Sequence, residues 1–150
     1  MSHSFYMGIA LKEAKKALGL GEVPIGAVIV HKDELIAKGH NLKETLQDPT
    51  AHAEIVVIKE AAKRLKSWRL DDCILYVTLE PCPMCAGAIV QARIPTLVYG
   101  ATDLKAGAVE SVVNLVQHKL LNHQVSVYAG IREDECKKIL RDFFQLKRNT

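Results

Sequence analysis

The chain has 150 residues, of which 49% are hydrophobic and 25% charged. That size and balance suit one globular domain spanning 1–150 and exclude a collagen-like, low-complexity or largely disordered chain. Lys plus Arg exceeds Asp plus Glu by 20 − 17 = +3, a mild excess that permits a polyanionic partner without requiring one. No run approaches the ~20 apolar residues that span a bilayer, so no membrane partner is expected. Lys12, Glu13, Lys15 and Lys16 interrupt any signal-peptide core, which makes a cytoplasmic location the expectation. Four cysteines, Cys73, Cys82, Cys85 and Cys136, are too few and too unevenly spaced for a disulfide scaffold. In a reducing compartment the close pair Cys82 and Cys85 reads as a metal or redox site.

Apolar residues at Met7, Leu11, Ala14 and Leu18 predict an amphipathic helix over 5–20, stopped by Gly19 and Gly21. Ile25 to Val30 and Leu35 to Gly39, joined by the polar Lys32-Asp33-Glu34, predict a β-hairpin. Residues 40–49 read as a polar loop. Ile55, Ile58, Ala62 and Leu65 recur at helical spacing and predict a helix over 53–65. A strand is expected over 74–78, and a helix over 82–93 opened by Pro81 and ended by Pro95. A strand at 97–100, a glycine-containing loop at 102–108, a short helix at 111–117 and a last strand at 125–128 follow. The final helix, 133–146, is expected to turn Cys136, Ile139, Leu140, Phe143 and Phe144 inward. Strands alternating with helices predict an α/β fold, a three-layer α/β/α sandwich around a mixed, mostly parallel five-stranded sheet that includes one antiparallel hairpin.

Two segments carry chemistry: Thr50-Ala51-His52-Ala53-Glu54 and Glu80-Pro81-Cys82-Pro83-Met84-Cys85. Cys82 and Cys85 lie three apart at a helix start, on one face, so both sulfurs can reach one metal ion. The free N–H groups of a first helical turn favour the thiolate, the metal-binding form. With His52 the set has three ligands, which leaves the fourth position of tetrahedral zinc open, as in catalytic rather than structural sites. Residues two apart on a helix point about 200° from each other. His52 and Glu54 can therefore face one point only if His52 stands at the helix start and Glu54 in its first turn, with Thr50 a candidate N-cap. Glu54 would then move protons rather than bind metal. A lone C-x-x-C also fits a redox pair, but H-x-E followed by P-C-x-x-C is the signature of zinc nucleobase deaminases.

The chain resembles the bacterial tRNA adenosine deaminases, a branch of the cytidine deaminase-like superfamily. The resemblance is carried by Gly21 to Val28, Asp48 to Glu54, Leu75 to Ala88, Asn122-His123 and Asp142-Phe143-Phe144. It implies zinc-dependent hydrolysis of adenosine to inosine at the wobble position of tRNA anticodons, and the fold of that superfamily. By the same resemblance His52, Cys82 and Cys85 match the ligands of one zinc ion per subunit, and Glu54 matches the proton-transfer residue. Asn41, Ala53, Leu79 and Pro81 match positions around the flipped nucleoside. Asp103 matches an aspartate near the substrate backbone, and Asn122 and Lys147 match RNA-contacting positions. The family is homodimeric, takes the tRNA anticodon stem-loop as partner and uses no nucleotide cofactor. One departure stands out: Glu110 replaces a glycine common in relatives, beside the presumed RNA-binding loop, where an acid is expected to disfavour phosphate. The rival readings are a deaminase of free guanine or cytosine, a non-catalytic zinc module that binds RNA, and a thiol redox protein.

Overall fold

A computed structural model describes residues 1–149. Helix α1 (His3–Gly19) is capped by the Ser2 hydroxyl, which accepts from the Phe5 amide at 3.0 Å. Gly21, at φ +78°, turns the chain away from its end. Strands β1 (Gly26–His31) and β2 (Glu34–His40) are joined by the two residues Lys32 and Asp33. Both have positive φ, 48° and 67°, the geometry that matches the twist of a two-residue hairpin. The single helical turn α2 (Lys43–Leu46) interrupts the expected polar loop. Then come α3 (Ala53–Leu65), β3 (Cys73–Leu79), α4 (Pro83–Gln91), β4 (Thr96–Ala101), β5 (Ser126–Tyr128) and α5 (Glu133–Arg148).

The sheet order is β2-β1-β3-β4-β5. β1 pairs antiparallel with both β2 and β3, while β3–β4 and β4–β5 are parallel. Four strands thus point one way and β1 alone runs against them. The sheet is mixed and mostly parallel in strand direction, as expected. Because the hairpin inserts β1 between β2 and β3, it contributes two antiparallel pairings instead of one.

Helices cover both faces. α3 and α4 bury Ala53, Val57, Ala61, Ala86 and Ile89 against Ile29, Leu75, Val77 and Leu97. α1 and α5 bury Met7, Ala10, Leu11 and Cys136 against Val28, Val30, Tyr76 and Val98 on the other face. The alternation of side chains along β1 and β3 feeds both cores. At Gly26 the backbone of α1 lies so close that a Cβ would stand 1.9 Å from the Ala10 carbonyl oxygen. Only glycine permits α1 to seat there.

Three expectations are corrected. Residues 111–117 are turn and irregular loop, not a helix: the amides of Val112 and Val113 donate to the Gly107 carbonyl and that of Leu115 to the Ala108 carbonyl, so the backbone folds back on the 107–108 segment instead of coiling. Pro83, not Pro81, occupies the first turn of α4, since Cys82 is its N-cap. Phe144 is not inward: Phe143 packs in the core, while Phe144 is 46% exposed. No helix among the described residues is long and apolar enough to cross a membrane.

Candidate active site

The reversed direction of β1 decides where the site lies. Ile25 precedes β1, Asn41 follows β2, Leu79 ends β3 and Thr102 follows β4, so all four stand at one edge of the sheet. That edge, the carboxyl end of the four codirectional strands, is where open α/β sheets place their ligands. A cleft of about 840 Å³ opens there, within the usual range of small-molecule sites. Its walls include Val23, Ile25, Asn41, Lys43, His52, Ala53, Leu79, the loop from Thr102 to Ala106, Leu140, Phe144, Lys147 and Arg148.

Two helices begin at the cleft. His52 is the N-cap of α3, with extended backbone (φ −71°, ψ 155°), and Cys82 is the N-cap of α4 (φ −75°, ψ 173°). The non-helical backbone of His52 lets its ring and the Glu54 side chain converge, as the H-x-E spacing requires. Thr50 is not the cap; its amide and hydroxyl both bond the Asp48 carboxylate, at 2.8 and 2.7 Å, in the turn before the helix.

His52 Nδ1 lies 3.6 Å from Cys82 Sγ and 3.5 Å from Cys85 Sγ. The three donor atoms all fall within 4.8 Å of one another. Sulfur at about 2.3 Å and nitrogen at about 2.05 Å from a tetrahedral zinc stand roughly 3.6 Å apart, so both nitrogen–sulfur distances match that ion. The Cys85 thiol, donating to Cys82, and the His52 ring together outweigh burial and hold the Cys82 thiol down to about 4. The same shared proton, with burial, pushes Cys85 up. Cys82 is therefore a ready thiolate. His52 is raised, first by its bond to Cys82.

Glu54 is 4% exposed. Burial pushes its carboxyl up to about 7, with the charge of Cys82 adding to the effect. A carboxyl near neutrality beside three side chains able to hold a metal is suited to proton transfer.

The other expected residues divide. Asn41, Ala53, Leu79, Asp103 and Lys147 all line the cleft. Asn41 Oδ1 also accepts from the Lys43 amide at 3.1 Å, and Asp103 Oδ1 accepts from the amides of Lys105 and Ala106, both at 3.1 Å. Lys147 Nζ lies 5.6 Å from the centre of the Phe143 ring. Pro81 is buried behind the wall, where its carbonyl accepts from the Ala108 amide at 2.8 Å. Asn122 is exposed and outside the cleft lining, in a loop pinned by His123 Nε2 donating to the Ile94 carbonyl at 2.7 Å. Glu110 is also outside it: its carboxylate accepts from the hydroxyl of Tyr99, whose ring is fully buried.

Of the three buried carboxylates with no assigned role in the sequence, Glu13, Glu22 and Glu80, two hold segments beside the cleft. Glu22 accepts from the amides of Glu44 and Thr45, at 3.0 and 2.6 Å, and so anchors the turn α2 beside the cleft. Glu80 gathers the loop after β4. Burial resists its ionisation, but the Ser111 hydroxyl and the amides of Glu110, Asp103 and Ser111 hold its carboxyl down to about 2. The sequence signal for both is the same: an acidic residue inside an apolar stretch next to a motif.

Residues 1–148 match the MafB19-like deaminase family, and the chain belongs to it. Within that class it is a member of the tRNA-specific adenosine deaminases. The relative of that name from Bacillus subtilis (strain 168) is 54% identical over 140 residues, covering 93% of this chain and 87% of the relative. The one from Aquifex aeolicus (strain VF5) is 46% identical over 150 residues, covering 100% of this chain and 99% of the relative. A solved structure described under A-to-I editing by tRNA:A34 deaminases superposes with a TM-score of 0.88 at 49% identity, covering 91% of this chain and 99% of that one.

Proposed function

We propose that this chain, as a single deaminase domain, hydrolyses adenosine to inosine at the wobble position of a tRNA anticodon. The observation that carries the reading is the convergence of His52 Nδ1, both sulfurs and buried Glu54, with His52 itself lining the cleft. His52, Cys82 and Cys85 would hold one zinc ion. Zinc bound by three protein ligands acts as a Lewis acid that brings the pKa of a water in the fourth position to about 7. Glu54 would take a proton from the attacking water and deliver it to the ring nitrogen beside the reacting carbon; it would then take the hydroxyl proton of the tetrahedral adduct and deliver it to the exocyclic amine, which leaves as ammonia as the carbonyl forms. Leu79 and Ala53 form the apolar wall against which the base rests, and Asn41 offers its amide to the nucleoside.

Lys43, Lys105, Lys147 and Arg148 surround the mouth of the cleft, which suits a polyanion better than a free base. A loop nucleotide is already unstacked from a duplex, so presenting it to the cleft is inexpensive in free energy. The protein acts as a homodimer in the cytoplasm under this reading. The test is incubation of the zinc-loaded protein with a tRNA bearing a wobble adenosine, followed by digestion and mass spectrometry. Inosine at that position, absent with Glu54→Ala, supports the reading. Ammonia from free guanine or cytosine without inosine overturns the RNA assignment. A metal-loaded protein that binds RNA and releases no ammonia overturns the catalytic one.

A further inference from the structure

Glu80 is a buried carboxylate that the chemistry above does not use. It stands at the junction of β3 and the Cys82–Cys85 turn, and only 2% of it is exposed. Its Oε1 accepts from the Asp103 amide at 3.0 Å and from the Ser111 hydroxyl. Its Oε2 accepts from the amides of Val109, Glu110 and Ser111, at 3.0, 2.7 and 3.0 Å. The backbone adds two links across the same seam: the Glu80 amide donates to the Ala101 carbonyl and the Ala108 amide to the Pro81 carbonyl, both at 2.8 Å. At Gly107 a Cβ would stand 2.4 Å from the Glu80 carboxyl carbon, so the loop lies flush on it.

The first part of that loop, Thr102 to Ala106, is one wall of the cleft. It has no helix or strand of its own to fix it. Five donors converge on one side chain, and only an anion with two acceptor oxygens can receive from all of them. Glutamine has nearly the same shape but would turn an N–H₂ donor toward donors. The anion is therefore specified by the geometry, not merely the volume.

We propose that Glu80 is a positioning residue for the deamination. Its carboxylate holds the 102–106 wall in register with the turn that carries Cys82 and Cys85, so the cleft is built before RNA arrives. This rests on the tRNA-deaminase reading for its substrate, but the positioning itself can be read without any substrate. When the binding-competent conformation is only partly populated, apparent affinity falls by that fraction. Loss of the anion therefore raises KM while the metal ligands stay in place.

The test uses the full zinc-loaded chain and an anticodon stem-loop RNA with a wobble adenosine. Glu80→Gln is expected to keep one zinc per chain, to raise KM by about tenfold or more, and to leave kcat within about threefold. The Asp103, Val109, Glu110 and Ser111 amides should exchange hydrogen faster than in the parent. Glu80→Asp, which keeps the anion on a shorter arm, should recover part of the affinity. Ser111→Ala removes one donor and leaves Glu80 in place; it should raise KM about two- to fivefold, and it decides the question if Glu80→Gln does not fold. Unchanged KM in Ser111→Ala and Glu80→Gln, or loss of zinc from a folded Glu80→Gln protein, would overturn the proposal. Failure of the parent protein to make inosine would instead count against the tRNA reading, while the exchange measurement would still decide the positioning.

Discussion

Glu110 tests whether an acid near a presumed RNA loop acts on the RNA or on the fold. The charge argument says that removing it should tighten RNA binding. The structure says otherwise, because the Glu110 carboxylate receives the hydroxyl of a fully buried Tyr99 and does not line the cleft. Glu110→Gly leaves that hydroxyl as a buried donor without its partner, at a cost of roughly 1–3 kcal/mol. The added freedom of glycine in the unfolded chain contributes roughly 0.4–1 kcal/mol more. A destabilisation of about 2.5 kcal/mol is expected, a fall in Tm of roughly 5–10 °C for a chain of this size. Glu110→Gln, which keeps an acceptor, should lose less than about 1 kcal/mol. In a Tyr99→Phe background the cost of Glu110→Gly should shrink to its backbone part, a coupling that a double-mutant cycle reads directly. The assay is urea denaturation of the four proteins, with KM for an anticodon stem-loop measured alongside. Tighter RNA binding by Glu110→Gly with no loss of stability would refute the reasoning.

Glu54→Ala should retain zinc and lose at least ~10²-fold in kcat, since positioned proton transfer contributes about 10²–10⁴-fold; full activity in a metal-loaded variant would remove Glu54 from the mechanism. Gly26→Ala forces a Cβ to 1.9 Å from the Ala10 carbonyl, so α1 must shift from the sheet, and calorimetry should show a loss of roughly 1–3 kcal/mol; an unchanged Tm would mean that α1 sits more loosely than described. Glu80 makes the fold acid-sensitive. Its folded-state carboxyl is depressed, to about 2 from an ordinary 4.5, so its contribution is complete above about pH 4.5 and disappears as pH falls toward 2. That contribution is about 3 kcal/mol, and the stability gap between the parent and Glu80→Gln should close over this window; a gap independent of pH would assign it to packing alone.

What the sequence disclosed and what it hid have a physical division. The His52, Glu54, Cys82 and Cys85 constellation was legible because ligand spacing and helix starts are local properties, written within a few residues. The helices and strands with strong periodicity, α1, α3, β1 and α5, lie where the pattern put them. The partners of Glu80 begin 23 residues downstream, at Asp103, and nothing local says that a carboxylate will collect them. For the same reason 111–117 looked helical: its apolar residues and lack of breakers favour a helix, but its amides find the Gly107 and Ala108 carbonyls of the segment that Glu80 pins. Phe144 shows the limit of periodicity, because a stripe wide enough for both rings does not say which one the cleft will claim.

The starts of α3 and α4 carry a consequence for anyone who would make this protein sturdier. N-cap positions favour Ser, Thr, Asp or Asn, whose side chains close the first turn, and replacing such a cap by a residue that does not cap costs typically about 1 kcal/mol. Here the two caps are His52 and Cys82, and neither makes the usual side-chain capping hydrogen bond. Both turn outward to the same point. Cap optimisation, ordinarily a safe route to a higher melting temperature, is closed at these two helices: local stability and the reactive centre compete for the same two side chains.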